Sequence, residues 1–88
     1  MEQNPELLFN VARLFYNRNQ GGDMDRAEQL WLHAVQLAPN YSNALYSLGL
    51  LYEKKGDRGK ALEYYKKVKE LNPGNADIGK KVRDLLAH

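Results

Sequence analysis

The feature that most constrains this chain is a sequence pattern that occurs twice. Three matched pairs lie 34 residues apart: Ala27 and Ala61, Trp31 and Tyr65, and Pro39 and Pro73. A fixed spacing of this size is typical of stacked helical repeats, in which each unit packs only against its neighbours. We therefore expect two related helical units rather than one irregular fold.

Size and composition limit the class of protein. The 88 residues form one small domain, near the lower limit for an independent hydrophobic core. The absence of cysteine excludes disulfides and thiolate metal sites. There is no charged-then-apolar leader and no apolar run near the ~20 residues that a membrane helix needs. These features predict a cytoplasmic protein, or a piece of a larger one, and no contact with a membrane.

Capping residues and helix breakers divide the chain into five expected helices. Asn4 followed by Pro5 is a typical helix start. After the break at 17–22, Asp25 resembles the first residue of a capping box and is expected to open the second helix. Ser42 stands where the cap of the third helix is expected, and Asp57 is expected to cap the fourth.

The second unit follows one ordered pattern at seven positions. A large residue, a leucine, a small residue and an aromatic residue are followed by alanine, a second aromatic residue and proline, at Leu45, Leu48, Gly49, Tyr52, Ala61, Tyr65 and Pro73. This pattern resembles that of the tetratricopeptide repeat family. The resemblance implies an all-α, right-handed α-solenoid of two helix-turn-helix repeats and a C-terminal capping helix. It places repeat one at 5–41, repeat two at 42–75 and the capping helix at 76–88.

The first unit is three residues longer between its helices. Ala12 and Ala27 are 15 residues apart, whereas Gly49 and Ala61 are 12 apart. We place the insertion within 16–25 and expect a harmlessly longer turn, because loop insertions cost little free energy. A functional lip beside a binding groove is the alternative.

The resemblance also implies that the first helix of each unit lines a concave face that binds a protein or peptide. Removing the expected core from those helices leaves these candidate partner-binding residues: Phe9, Arg13, Tyr16, Asn43, Tyr46, Leu50, Lys54, Lys80 and Asp84. Aromatic anchors surrounded by charge are typical of peptide-binding surfaces. We expect the aromatic and leucine members of this set to supply contact area and its basic members to favour an acidic segment.

One particular partner is not expected. Some family members hold the C-terminal carboxylate of a chaperone peptide with basic and asparagine side chains on the inner helices. The corresponding positions here are Phe9, Arg13, Ser47, Asp77 and Lys81. Only Lys81 keeps the required charge, and Asp77 would repel a carboxylate. We therefore do not expect binding of chaperone tails.

Catalysis and metal binding have little support in the sequence. Cysteine and threonine are absent, and the only serines are Ser42 and Ser47. The two histidines, His33 and His88, are far apart in the chain. An active site needs a nucleophile or an acid–base pair in a concave site, and a metal site needs several ligands together. We expect no catalytic, cofactor or metal site.

Two further functions stay open. Two and a half units are fewer than the ~3 that a stable stack usually needs, which favours self-assembly or docking within a larger scaffold as the main alternative. Residues 45–88 hold ten basic and six acidic side chains, with lysines beside Tyr64 and Tyr65. Aromatic rings among lysines can stack on bases, so weak nucleic-acid binding ranks third.

Overall fold

Helices follow one another along the chain and are joined by short linkers. The computed structural model describes residues 4–87. Within these residues there are five helices and no strand: α1 (Pro5–Arg18), α2 (Asp23–Leu37), α3 (Ser42–Lys55), α4 (Arg58–Leu71) and α5 (Ala76–Leu86). Each helix packs against the next, and α1 also contacts α3. The fold is therefore the predicted all-α helical-repeat stack.

Side-chain caps fix several helix ends as the sequence predicts. The Asn4 side chain accepts backbone N–H bonds at the start of α1, and Asp57 accepts one at the start of α4. Asn75 caps α5 in the same way. α2 ends two residues before Pro39, which cannot continue a helix.

Two predicted caps are wrong. α2 begins at Asp23, two residues before Asp25, and its N-cap is Gly22, whose positive φ of 80° favours glycine. α3 begins at Ser42 itself and has no side-chain cap. The Ser42 hydroxyl instead accepts a 3.1 Å hydrogen bond from Nδ2 of Asn72 at the end of α4.

An ion pair between an exposed arginine and a buried carboxylate explains why α2 begins early. Asp23 is only 2% exposed, and its carboxylate accepts hydrogen bonds of 2.7 and 2.8 Å from Nε and Nη2 of Arg18. The backbone N–H of Gln20 donates a third bond of 3.0 Å. These bonds, above all those from Arg18, lower the pKa of Asp23 to about 2. They also tie the end of α1 to the start of α2.

The two helix pairs differ in the length of their turns. The linker between α1 and α2 comprises residues 19–22, whereas that between α3 and α4 comprises 56–57. In addition, α2 begins four residues before Ala27, and α4 begins three before Ala61. The three extra residues of the first unit are therefore two linker residues and one residue in the first turn of α2.

Small residues allow the helices of a pair to approach closely. A Cβ atom added at Gly49 would stand 2.6 and 2.9 Å from Cδ1 and Cζ of the Tyr65 ring. Ala12, Ala27 and Ala61 are likewise fully buried. The Tyr65 ring therefore fills the space that glycine leaves open, and it is itself completely buried.

Candidate functional site

Helices α1, α3 and α5 line one side of the stack, and open depressions run between them. One depression, of about 570 Å³, lies at the N-terminal ends of α3 and α5, and a second, of about 400 Å³, lies further along the same two helices. A third, of about 310 Å³, lies between α1 and α3. The first two share Tyr46 and Asp77, and the last two share Glu53 and Lys81. The three adjoining depressions are together called the inner groove here.

The inner groove collects most of the predicted partner-binding residues. Eight of the nine line it: Phe9, Tyr16, Asn43, Tyr46, Leu50, Lys54, Lys80 and Asp84. Arg13 is exposed on α1 and lines none of the three depressions. The side chains therefore lie together, and their binding of a partner stays a prediction.

The groove also contains residues that the sequence reasoning missed. Asn72 and Asn75, from the turn between α4 and α5, line its first depression. The prediction considered only the inner helices, so it left out the turn that leads into one of them. A signal was available, because the run from Asn72 through Pro73 and Gly74 to Asn75 must place polar side chains beside the start of α5.

Aromatic rings form the wall of the groove and are held by the core. The Phe9 ring centroid lies 6.4 Å from that of Trp31, and the Tyr16 centroid lies 5.4 Å from Trp31. The Tyr46 centroid lies 5.6 Å from that of Tyr65. Phe9 and Tyr46 were predicted to lie outside the core. They in fact pack against the core with part of their surface and line the groove with the rest. Such rings lose little further side-chain entropy when a partner binds.

Glu53 is fixed in the groove by a residue of the outer helix α4. Its carboxylate accepts a 2.6 Å hydrogen bond from the Tyr65 hydroxyl and lies 3.4 Å from Nζ of Lys81. Burial, and then the bond to Glu53, raise the pKa of Tyr65 above its ordinary value, so the phenol stays a proton donor. Burial also raises the pKa of Tyr16, with a smaller contribution from the Glu53 charge.

The charges that line the groove are balanced. Three acidic and three basic side chains face it: Glu53, Asp77, Asp84, Lys54, Lys80 and Lys81. Opposite charges within one Debye length, about 8 Å at physiological salt, largely cancel at a distance. This balance gives no support to a preference for acidic segments, so short-range contacts decide what fits the groove.

The aromatic residues beside the lysines of α4 are not free to stack on bases. Tyr65 is completely buried, and Tyr64 stacks on Tyr52 with centroids 5.6 Å apart and planes 13° apart. This geometry argues against the nucleic-acid alternative. Among residues 4–87 no cluster of three or more His, Cys, Asp or Glu side chains could hold a metal ion. His88 lies outside the described residues.

In the described part of the chain, no helix has both the length and the apolar character needed to cross a membrane.

These features define a class of protein: a stack of helical hairpins with an open groove along its inner helices. Residues 42–75, which comprise α3, α4 and the turn that follows, match the family model of the tetratricopeptide repeat. The chain therefore contains a tetratricopeptide repeat, as the sequence pattern predicts. Repeats of this family are non-enzymatic modules that generally mediate protein–protein interaction.

Curated relatives match most of the chain. The "Uncharacterized protein ycf37" of Pyropia yezoensis is 32% identical over 80 residues, which are 91% of this chain and 43% of that protein. The "E3 SUMO-protein ligase RanBP2" of Homo sapiens is 32% identical over 78 residues, which are 89% of this chain and 2% of that protein. The protein of the same name from Pan troglodytes gives the same values. The chain thus spans less than half of the first relative and a small part of the others.

Proposed function

We propose that this chain is a non-catalytic interaction module whose inner groove binds a short peptide segment or a helix of a protein partner. Residues 5–41 would be the first repeat, 42–75 the second and 76–88 the cap. The observation that carries the proposal is the row of adjoining depressions, with shared lining residues, from α1 across α3 to α5. A concave site with an apolar wall and a few convergent polar groups is the usual form of a binding site.

The first depression suits the main chain of an extended segment. Its lining combines the rings of Phe9 and Tyr46 with amide and hydroxyl groups, among them those of Asn43 and Ser47. Amides both donate and accept hydrogen bonds, so they can pair with peptide N–H and C=O groups whatever the sequence. The preferred ligand is a segment with an apolar or aromatic anchor between the two rings.

The groove suits such a segment better than a strongly charged tail. Lys81 is already engaged by Glu53 at 3.4 Å, and Asp77 lines the depression next to it. A free carboxylate there would meet the acids Asp77 and Asp84, and one of the two lysines already has a partner.

The test is a selection from a library of random displayed peptides, followed by affinity measurement with fluorescently labelled peptides. The test variant is Tyr46→Ala combined with Lys80→Glu, which removes part of the wall and reverses a charge of the second depression. The matched control is His33→Ala on α2, outside the groove. We expect selected peptides to bind the native protein and the control equally and the double variant about tenfold or more weakly.

Equal binding to the double variant, with its helix content confirmed by circular dichroism, would contradict the proposal. It would place the binding surface outside the inner groove.

A further inference from the structure

Two leucines of α1 are exposed at positions whose counterparts in the second unit are buried. Leu7 is 59% and Leu14 is 65% exposed. The 37-residue offset between α1 and α3 matches Leu7 with Ala44 and Leu14 with Leu51. Ala44 and Leu51 are both 0% exposed. The same strip of helix surface is thus covered in the second unit and open in the first.

The neighbours of Leu51 show what covers this strip. Nζ of Lys54 lies 4.9 Å above the ring of Tyr16 on α1. Nζ of Lys55 lies 2.6 Å from a carboxylate oxygen of Glu28 on α2. Residues three and four positions along a helix flank the first one on the same face. The strip through Leu51 therefore faces α1 and α2.

Cations occupy matching places beside the strip in both units. In the second unit Nζ of Lys60 lies 5.2 Å above the ring of Tyr52. In the first unit the guanidinium of Arg26 lies 5.7 Å from the ring centroid of Phe15, and that of Arg18 lies 5.5 Å from it. By the same offsets Arg26 matches Lys60 and Phe15 matches Tyr52. The two edges therefore share a cation placed over an aromatic ring at the matching position.

In the second unit an acidic residue of the covering helix lies at this edge and pairs with Lys55. Glu28 of α2 accepts a 2.6 Å hydrogen bond from the Tyr52 hydroxyl and another from Lys55. Burial tends to raise the pKa of Glu28, but the bonds from Lys55 and Tyr52, together with the charge of Lys60, lower it overall. The covering helix thus brings a carboxylate to a basic edge. A helix on the edge of the first unit would bring one to Arg26, because Arg18 is already paired with Asp23.

The opposite end of the stack is closed to a further helix pair. The 34-residue offset places Arg83 of α5 at the position of Gly49 in α3. An arginine does not permit the close approach that Tyr65 makes to Gly49. The faces that stack helices inside the molecule are also occupied, because α2 packs against α3 and α4 against α5. A second copy of this chain therefore offers no matching covering helix within residues 4–87.

We propose that the open edge of the first unit binds an acidic amphipathic helix of a partner, seated as α2 is seated on α3. This surface, here called the leading edge, comprises Leu7, Val11, Leu14, Arg18, Arg26, Leu30 and Leu37. A helix placed there would continue the α2–α3 interface by one unit, and Arg26 provides charge complementarity.

The probe for this proposal is a peptide copying residues 22–38, because α2 is the helix that covers the matching edge. An isolated helix of this length is only marginally stable in water. The peptide therefore carries Gln29→Glu and His33→Lys, and a lactam bridge between these two side chains stabilises its helical form. The bridge lies on a different side of the helix from Glu28. The peptide is titrated into ¹⁵N-labelled protein, and amide shifts report the binding position. The matched control peptide additionally carries Glu28→Lys.

We expect the shifts to centre on Leu7, Leu14 and Arg26. In the protein, Leu14→Glu is expected to weaken binding about tenfold or more, since it removes an apolar contact and repels the acidic helix. Arg26→Glu and the control peptide should each weaken it in the same direction. Tyr46→Ala should leave it unchanged, which separates this surface from the inner groove.

Three outcomes would overturn the proposal. The first is the absence of shifts on the leading edge up to about 1 mM peptide. The second is a set of shifts in the inner groove that Tyr46→Ala abolishes. The third is a native protein that sediments as a dimer and becomes monomeric on Leu14→Glu, which would assign the leading edge to a second copy.

Discussion

The phenol of Tyr65 donates a 2.6 Å hydrogen bond to a carboxylate oxygen of Glu53, so the outer helix α4 fixes an acidic side chain of the inner groove. The same ring fills the space beside Gly49 and lies 5.6 Å from the ring of Tyr46. One fully buried side chain therefore supports both the helix pairing and the shape of the groove.

Removing only the hydroxyl tests the polar part of this arrangement. Tyr65→Phe keeps the ring packed but leaves Glu53 with only its 3.4 Å contact to Lys81. We expect the free energy of unfolding to fall by about 1 kcal/mol, the usual contribution of one hydrogen bond. Urea denaturation measures this value. Tyr46→Phe, which alters a ring on the groove wall, is the control and should change stability by less. Equal effects of the two variants would argue against a special role for the Tyr65–Glu53 bond.

Two glycines in helices should respond oppositely to the same substitution. Gly49→Ala is expected to destabilise the protein by about 1–3 kcal/mol, because the new methyl group overlaps the Tyr65 ring. Gly79→Ala, where an added Cβ has nothing within 4 Å, should stabilise the protein by up to about 1 kcal/mol through helix propensity. Thermal unfolding of both variants measures the two signs. A neutral Gly49→Ala would contradict the close approach of α3 and α4.

The pKa of Asp23 predicts how stability depends on acid. Its value of about 2 in the folded protein lies below the ordinary 3.8, so the unfolded chain binds a proton first as the pH falls. The contribution of the ion pair with Arg18 is therefore complete above about pH 4 and is lost as the pH falls toward about 2.

Asp23→Asn should lower the melting temperature at neutral pH and flatten its fall between about pH 4 and 2. Circular dichroism melts across this range measure both effects. Asp84→Asn, on the exposed face of α5, should keep the slope of the native protein. If the melting temperature of Asp23→Asn falls with pH as steeply as that of the native protein, the ion pair is not the source of the acid sensitivity.

The matched leucines of α1 and α3 should differ sharply in their contribution to stability. Leu51→Ala is expected to cost about 2–5 kcal/mol, because Leu51 is fully buried. Leu14→Ala should change the free energy of unfolding by less than about 0.5 kcal/mol, because Leu14 is 65% exposed. Chemical denaturation of the two variants gives the comparison. A large loss in Leu14→Ala would mean that the leading edge is already covered in solution.

Much of the fold was predictable because it depends on short-range signals. Asn4 and Asp57 cap the helices that follow them, and Pro39 follows the end of α2, as local rules require. The small residues at fixed spacing indicated which helices pair. These signals need no knowledge of distant contacts, and the helix order follows from them.

The start of α2 could not be predicted in this way. A capping rule selects Asp25 as the start of α2. The helix instead begins at Asp23, whose carboxylate pairs with Arg18, five residues earlier and on another helix. The candidate site was limited for a similar reason. Helical periodicity assigns a side chain to one face, whereas Phe9 and Tyr46 are large enough to contribute to both the core and the groove.

Arg83 makes the two ends of the stack differ in whether another unit can be added. A chain of this kind can be lengthened by inserting a copy of a unit between residues 41 and 42. The first helix of the new unit would pack against α2, and its second helix would pack against α3. Duplication after α5 would instead bury a guanidinium where the fold needs a glycine or alanine. The boundary between the two units is therefore the place where further units can be inserted while α1 stays packed on α2 and α5 on α4.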